Sequence, residues 1–196
     1  MIEYTKNKKD MTWEEYLPLS EKTLSLQFNC NETEQKILHS VIGIMTELDE
    51  ILDNYDNDKK LDKVNILEEV GDICWYLAIL GREYDISFPQ ITVREKNSDP
   101  FRLILSTIKM SAKLLDMLKK KIYYNKDINQ EIFVSLSRTI MMNISDFTHC
   151  YDIQIEKSFQ VNIDKLRSRY GDKFSSENAI NRDLDKERDI LEGKNK

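Results

Sequence analysis

Apolar residues recur along most of this chain at intervals of three and four, the period of an α-helix buried on one side. Thr12 with Glu15, and Asn31 with Glu34, have the spacing of capping boxes, in which two side chains satisfy each other's unpaired backbone N–H groups. They predict a first helix from Thr12 to about Phe28, with Trp13, Tyr16, Leu17, Leu24 and Phe28 at helical intervals and Pro18 as a kink. A longer helix is predicted over about Glu32 to Tyr55, its core-facing stripe formed by Leu38, Val41, Met45, Leu48 and Leu52. A polar turn at 54–60 leads into a third helix, about Asp62 to Tyr84. There Ile66, Leu67, Val70, Ile73, Cys74, Leu77, Ala78 and Leu80 spread around nearly the whole circumference, the mark of a helix buried on most sides.

Beyond Ser87 and Pro89 a short helix to Lys96 is expected, and then the sharpest break in the chain, Asn97-Ser98-Asp99-Pro100. Two bundle helices follow. The first spans about Phe101 to Tyr124, with Leu105, Ile108, Ala112, Leu115 and Leu118 on one face; the second runs from near Asp127, with Gln130 at N3, to about His149. Tyr84-Asp85-Ile86 recurs as Tyr151-Asp152-Ile153, each after a pair of apolar helices. Duplication and chance similarity between helical hairpins both account for that echo. A helix over Gln154 to Tyr170 ends in the basic run Lys165, Arg167, Arg169 and is stopped by Gly171. Ser175 or Ser176 then caps a charged helix with Ile180, Leu184 and Leu191 on one side and Gly193 past its end, expected at the periphery or against a partner.

Composition narrows the class. With only 5 Gly and 3 Pro in 196 residues, the turn chemistry of a many-stranded β fold is missing, so an all-α helical bundle is expected. Hydrophobic residues at 40% and charged residues at 33% suit a folded, soluble, helix-rich chain. The expected divisions are an N-terminal helix (1–30), an acidic hairpin (31–97), a second, acid-free unit with a basic C-terminal helix (98–174) and a peripheral charged helix (175–196), together one compact domain. A net charge of -6 argues against broad nucleic-acid binding. Cys30, Cys74 and Cys150 form neither a disulfide framework nor a zinc pattern. No apolar leader or membrane-length run is visible, and a cytoplasmic protein is expected.

The candidate chemistry lies on the second and third helices. Glu47 with Glu50, and Glu69 with Asp72, are acidic pairs one turn apart that can converge on one ligand, and oxygen-only clusters suit a hard cation such as Mg²⁺. Taken alone, Glu47 and Glu50 fall on roughly the opposite side from the core stripe of their helix, beside Gly43, and read first as a solvated face. Glu69 and Asp72 are harder to dismiss, since carboxylates on a mostly buried helix are costly without a compensating cation and basic residues nearby are few. Carried forward by the spacing of the Tyr-Asp-Ile echo, the four acids become Leu114, Met117, Leu136 and Thr139, so a second copy would hold no metal. Lys165 and Arg169, four apart, could reach phosphate oxygens or be surface cations at a helix C-terminus. Trp75 could stack on a base or fill core.

Residues 39–80, with HSVIGIMTELDEILD and VNILEEVGDICWYLAIL carrying E-x-x-E and E-x-x-D, resemble the MazG-like, all-α nucleoside triphosphate pyrophosphohydrolases. NIDKLRSRYGDKF and the NRDL stretch after it look like the C-terminal part of many phage and bacterial relatives. In many short relatives that part follows almost directly on the acidic helix, whereas here a further hairpin intervenes; all-α deoxyuridine triphosphatases with a degenerate second unit are an architectural parallel. The resemblance implies Mg²⁺-dependent cleavage of an NTP or dNTP between the α and β phosphates, with Mn²⁺ as substitute, Glu47, Glu50, Glu69 and Asp72 as metal-binding and catalytic residues, and a homodimer or higher oligomer in the cytoplasm, the host's if phage-encoded. A phosphoribosyl-ATP pyrophosphohydrolase-like enzyme and a non-enzymatic helical interaction protein are the alternatives.

Overall fold

The structure, a computed structural model, describes residues 11–56, 63–88, 99–171 and 173–194. Among these the regular structure is all helical: α1 (Trp13–Ser20), a 3₁₀ turn (Glu21–Thr23), α2 (Glu32–Asp56), α3 (Lys63–Glu83), α4 (Pro100–Tyr124), α5 (Gln130–Cys150), α6 (Ile155–Tyr170), α7 (Ser176–Ile180) and α8 (Leu184–Leu191). The short helix expected up to Lys96 lies outside the described residues. No helix of the described chain is long and apolar enough to cross a membrane.

Two helical hairpins make the body. α2 packs chiefly on α3 and α4 on α5, the pairs meet through α2–α4 and α3–α5, and α6 lies along α3. One apolar cluster runs through both, with Ile44, Leu48, Ile73 and Leu77 from the first hairpin and Leu114, Phe133, Ile144 and Phe147 from the second. Each such side chain contributes roughly 1.5–3 kcal/mol by leaving water.

The caps explain where the helices start. Thr12 and Glu15 exchange hydrogen bonds of 2.9 and 3.3 Å, and Asn31 and Glu34 exchange a pair of 3.0 Å, so both capping boxes form. Asp99 accepts from the Phe101 N–H at 3.0 Å, with Pro100 opening α4 where no N–H is needed. The α5 cap is Asn129, whose side chain accepts from Ile132 N at 3.1 Å, so the helix begins after Asn129 and not near Asp127.

The Tyr-Asp-Ile echo has a local cause. Asp85 and Asp152 both sit in the left-handed region, at φ 49 and 56. The following N–H bonds back five residues in each case, Ile86 to Gly81 O at 2.8 Å and Ile153 to Thr148 O at 3.1 Å. Ile86 and Ile153 are themselves buried, so both copies are the same helix stop, closed by a hydrophobic contact. Leu114, matched to Glu47, is fully buried, and Met117 and Leu136 pack against the core.

Several expectations are corrected. The first helix ends at Ser20 and its 3₁₀ turn at Thr23, well short of Phe28, because none of its residues is buried and it packs on no other helix of the described chain. The segment after it is tied instead to the end of α4: Asn29 N donates to Ile122 O at 2.9 Å and Ser25 Oγ to Tyr123 O at 3.0 Å. The core stripe of α2 is Ile37, Val41, Ile44, Leu48 and Ile51, rotated about 60° from the predicted one. On α4 the buried face is Ile104, Thr107, Ser111, Leu114, Leu118 and Ile122, while Leu105 and Ala112 are exposed. Thr107 reads as polar but its hydroxyl bonds to Leu103 O at 2.8 Å, so its burial leaves that donor satisfied. The C-terminal tail is two helices, broken at 181–183, with Ile180 and Leu184 exposed and Leu191 buried. α8 packs on α6 and α3 of the same chain.

Candidate functional site

The rotation of α2 decides the site. With Ile44 and Leu48 at the centre of the buried face, Glu47 lies at its edge, about 80° away, and faces α3 instead of open solvent. From α3, Glu69 is buried at 9% exposure. Glu47, Glu50 and Glu69 each bring a carboxylate oxygen within 4.8 Å of the others. Two ionised carboxylates at that separation repel by roughly 3 kcal/mol at an effective dielectric of about 20.

The protein answers with protons. Burial, then Asp72 and Glu50, raise the Glu47 carboxyl from 4.5 to about 7, partly offset by a hydrogen bond with Glu69. Burial, then Glu50, Glu68, Glu47 and Asp72, raise Glu69 to about 9. Glu50, the most exposed of the three, is also raised, by desolvation and by Glu68 and Asp72. Near neutrality the cluster therefore retains protons that a divalent cation would displace.

Asp72 adjoins this trio, and its charge acts on all three carboxyls, but its oxygens are engaged on another side. Its oxygens accept from Lys165 Nζ at 2.6 Å and from Asn162 Nδ2, both on α6. Lys165 also reaches Glu68 at 3.3 Å and is 1% exposed. The sequence argument that basic partners are few near the α3 acids is thus corrected: the counter-ion comes from α6, far along the chain. The close approach is made possible by Gly71, where an added Cβ would stand 2.9 Å from Asn162 Cβ and 3.0 Å from Ser158 O. Lys165, which by its position in the sequence could reach phosphate oxygens or be a surface cation, is a buried counter-ion, and it is absent from the cleft lining.

A cleft of about 590 Å³ opens over these acids. Trp75, Tyr76 and His39 form one wall, the rings mutually edge-on with centroids 5.0–6.3 Å apart. Trp75 is therefore at the surface of the cleft, 36% exposed, and not in the core. Gly43 does leave room for something close: the ring of Tyr76 occupies the space a Cβ would take. Arg169, Tyr170 and Arg182 line another side. Arg169 forks onto Glu187 with two bonds of 2.6 Å.

Arg182 and Glu187 escaped the sequence reading, and Glu68 and His39, both visible in it, are not among its site residues. Glu68 lies in the same α3 stripe as Glu69 and Asp72, which was signal enough. Arg182 and Glu187 flank the Asp183 cap as residues N′ and N4, positions that face each other across a helix start. No protein-family model matches the chain, and neither a curated protein nor a solved structure matches it.

Proposed function

We propose that the protein is a divalent-cation-dependent nucleotide pyrophosphohydrolase, cleaving an NTP or dNTP between the α and β phosphates to a nucleoside monophosphate and pyrophosphate. The observation that carries this reading is the convergence of Glu47, Glu50 and Glu69 within 4.8 Å on the floor of a cleft that also has an aromatic wall and a cationic edge. Oxygen-only donors, close-set and partly buried, fit Mg²⁺ or Mn²⁺ better than a soft metal.

The residues divide the work. Glu47, Glu50 and Glu69 would hold the cation, which when bound neutralises phosphate charge and acidifies a water. Trp75 and His39 offer flat faces for a base, and stacking on an aromatic side chain contributes roughly 1–3 kcal/mol without demanding one base. Lys165 pairs with both Asp72 and Glu68 and fixes them beside the trio. A carboxylate of the cluster accepts the proton of the attacking water. Assembly into a dimer or higher oligomer belongs to the same reading.

Incubation with a panel of NTPs and dNTPs, with Mg²⁺ or Mn²⁺, tests the proposal. Equimolar monophosphate and pyrophosphate are expected from at least one nucleotide. Release of orthophosphate alone, or no turnover with either metal, would reject it.

A further inference from the structure

We infer that the tail from Arg182 to Leu191 builds an anion-contacting edge of the cleft, in which Arg169 and Arg182 meet the ligand's phosphate oxygens and Glu187 is the positioning residue that holds both guanidiniums. The inference rests on the proposed function for the nature of the anion, a polyphosphate, and on the tail's own geometry for everything else.

Glu187 is buried, 4% exposed, and one carboxylate serves two arginines. Arg169 Nε and Nη2 donate to its two oxygens at 2.6 Å, and Arg182 Nη2 and Nε donate to Oε2 at 2.7 and 3.2 Å. That fork consumes Nε and Nη2 of each arginine and leaves both Nη1 groups outside it. Two guanidiniums share the one Glu187 carboxylate in the cleft lining, with Glu68 a more distant 3.9 Å from Arg182.

Local sequence fixes this arrangement. Asp183 caps α8, accepting from Lys186 N at 3.1 Å, which places Arg182 at N′ and Glu187 at N4. Those two positions normally carry the apolar pair of a hydrophobic staple; here an ion pair takes their place. α8 is in turn fixed to the body by Leu191, which is buried, and by Arg188 Nη1 donating to Asn65 Oδ1 on α3 at 3.0 Å.

The need for such a holder follows from the floor. Arg182 Nη2 already lies 3.9 Å from Glu68, and an arginine freed from Glu187 has Glu68 and Glu50 in front of it. An unheld guanidinium would settle on those carboxylates and compete with a cation. Glu187 holds both arginines in the cleft lining and leaves Arg182 only a 3.9 Å contact with Glu68, so an anion-binding edge stands beside the cation-binding floor.

Titration calorimetry of inorganic pyrophosphate in the presence of Mg²⁺, with wild type, R182Q, E187Q and E187D, tests this. A charge-assisted hydrogen bond is worth about 1.5–3 kcal/mol, so R182Q is expected to bind pyrophosphate at least about tenfold more weakly. E187Q should show a loss of similar size and E187D a smaller one. On any nucleotide that is turned over, R182Q should raise KM by a similar factor while kcat changes much less. If E187Q fails to fold, R182Q, altering a side chain 38% exposed, still decides the matter. Wild-type affinity in R182Q, or no pyrophosphate binding by the wild-type protein with Mg²⁺, would overturn the inference. Turnover with unaltered pyrophosphate binding in R182Q would reject the edge and leave the proposed function standing; pyrophosphate binding lost in R182Q, without turnover of any nucleotide by wild type, would do the reverse.

Discussion

Replacing Lys165 by Met isolates the buried counter-ion from its stem. Met keeps most of the aliphatic volume and removes only the ammonium, which sits 2.6 Å from Asp72 and 3.3 Å from Glu68. Breaking a fully buried pair by deleting one partner costs about 3–5 kcal/mol. Here the stranded carboxylates are 24% and 21% exposed and Asn162 still donates to Asp72, so water and that amide recover part of the loss. A cost of roughly 2–3 kcal/mol remains, or roughly 4–12 °C in Tm for a chain of this size. The freed Asp72 then adds its charge to the Glu47–Glu50–Glu69 cluster, so Mg²⁺ should raise the Tm of Lys165→Met more than that of wild type; a tenfold gain in affinity would add about 1.4 kcal/mol. Thermal melts near neutral pH, with and without millimolar Mg²⁺, read both effects. An unchanged Tm without metal would refute the counter-ion role. A Mg²⁺ shift no larger than wild type's would refute the claim that Lys165 restrains a potential ligand.

Other expectations follow from the same geometry. Glu47 and Glu69 have folded-state values raised to about 7 and about 9 against an ordinary 4.5, so the folded chain holds protons the unfolded one has released. Metal-free stability should therefore be greatest at the acid end of this interval and fall as pH rises from about 4.5 through about 7 towards about 9. Melts across that range should show the fall and its reduction by Mg²⁺; a metal-free Tm that climbs through the interval would contradict it. Gly43→Ala would push a methyl into the Tyr76 ring, at a cost of about 1–3 kcal/mol, and disturb the neighbouring Trp75. A denaturant midpoint and a Trp emission spectrum equal to wild type's would show that no such contact exists. Asp152→Val should cost about 1–2 kcal/mol because φ 56 crowds a branched side chain, whereas Asp152→Gly should be neutral or stabilising. Equal midpoints for the two variants would argue against that backbone conformation.

Much of the helical frame was legible because caps and stops are local. Thr12, Asn31 and Gly171 name helix ends through hydrogen bonds made within five residues, and periodicity found every long helix of the described chain. Which way a helix faces was less legible. On α2 both Leu38–Val41–Met45 and Ile37–Val41–Ile44 are apolar at helical spacing, and only packing against α3 and α4 chooses between them. On α4 the core accepts Thr107 and Ser111, which a hydrophobic count passes over. The site divides in the same way. Glu47, Glu50 and Glu69 could be found by their i, i+3 spacing, while the Lys165–Asp72 pair spans 93 residues and depends on α6 approaching Gly71. The apolar residues of the first segment misled because helical spacing gives no sign of whether another element lies opposite to cover them.

The central claim is that Glu47, Glu50 and Glu69 exist as a cluster to hold a divalent cation. Mn²⁺ binding followed by electron paramagnetic resonance tests it directly, in wild type and in Glu69→Gln, which keeps the shape of a side chain that is protonated near neutrality. Glu69→Gln should fold at least as stably as wild type without metal, so a change in binding would report the ligand set and not the fold. Saturable binding in wild type, weakened about tenfold or more in Glu69→Gln, is the predicted result. No saturable binding in wild type, or equal affinity in the two proteins, would contradict the account.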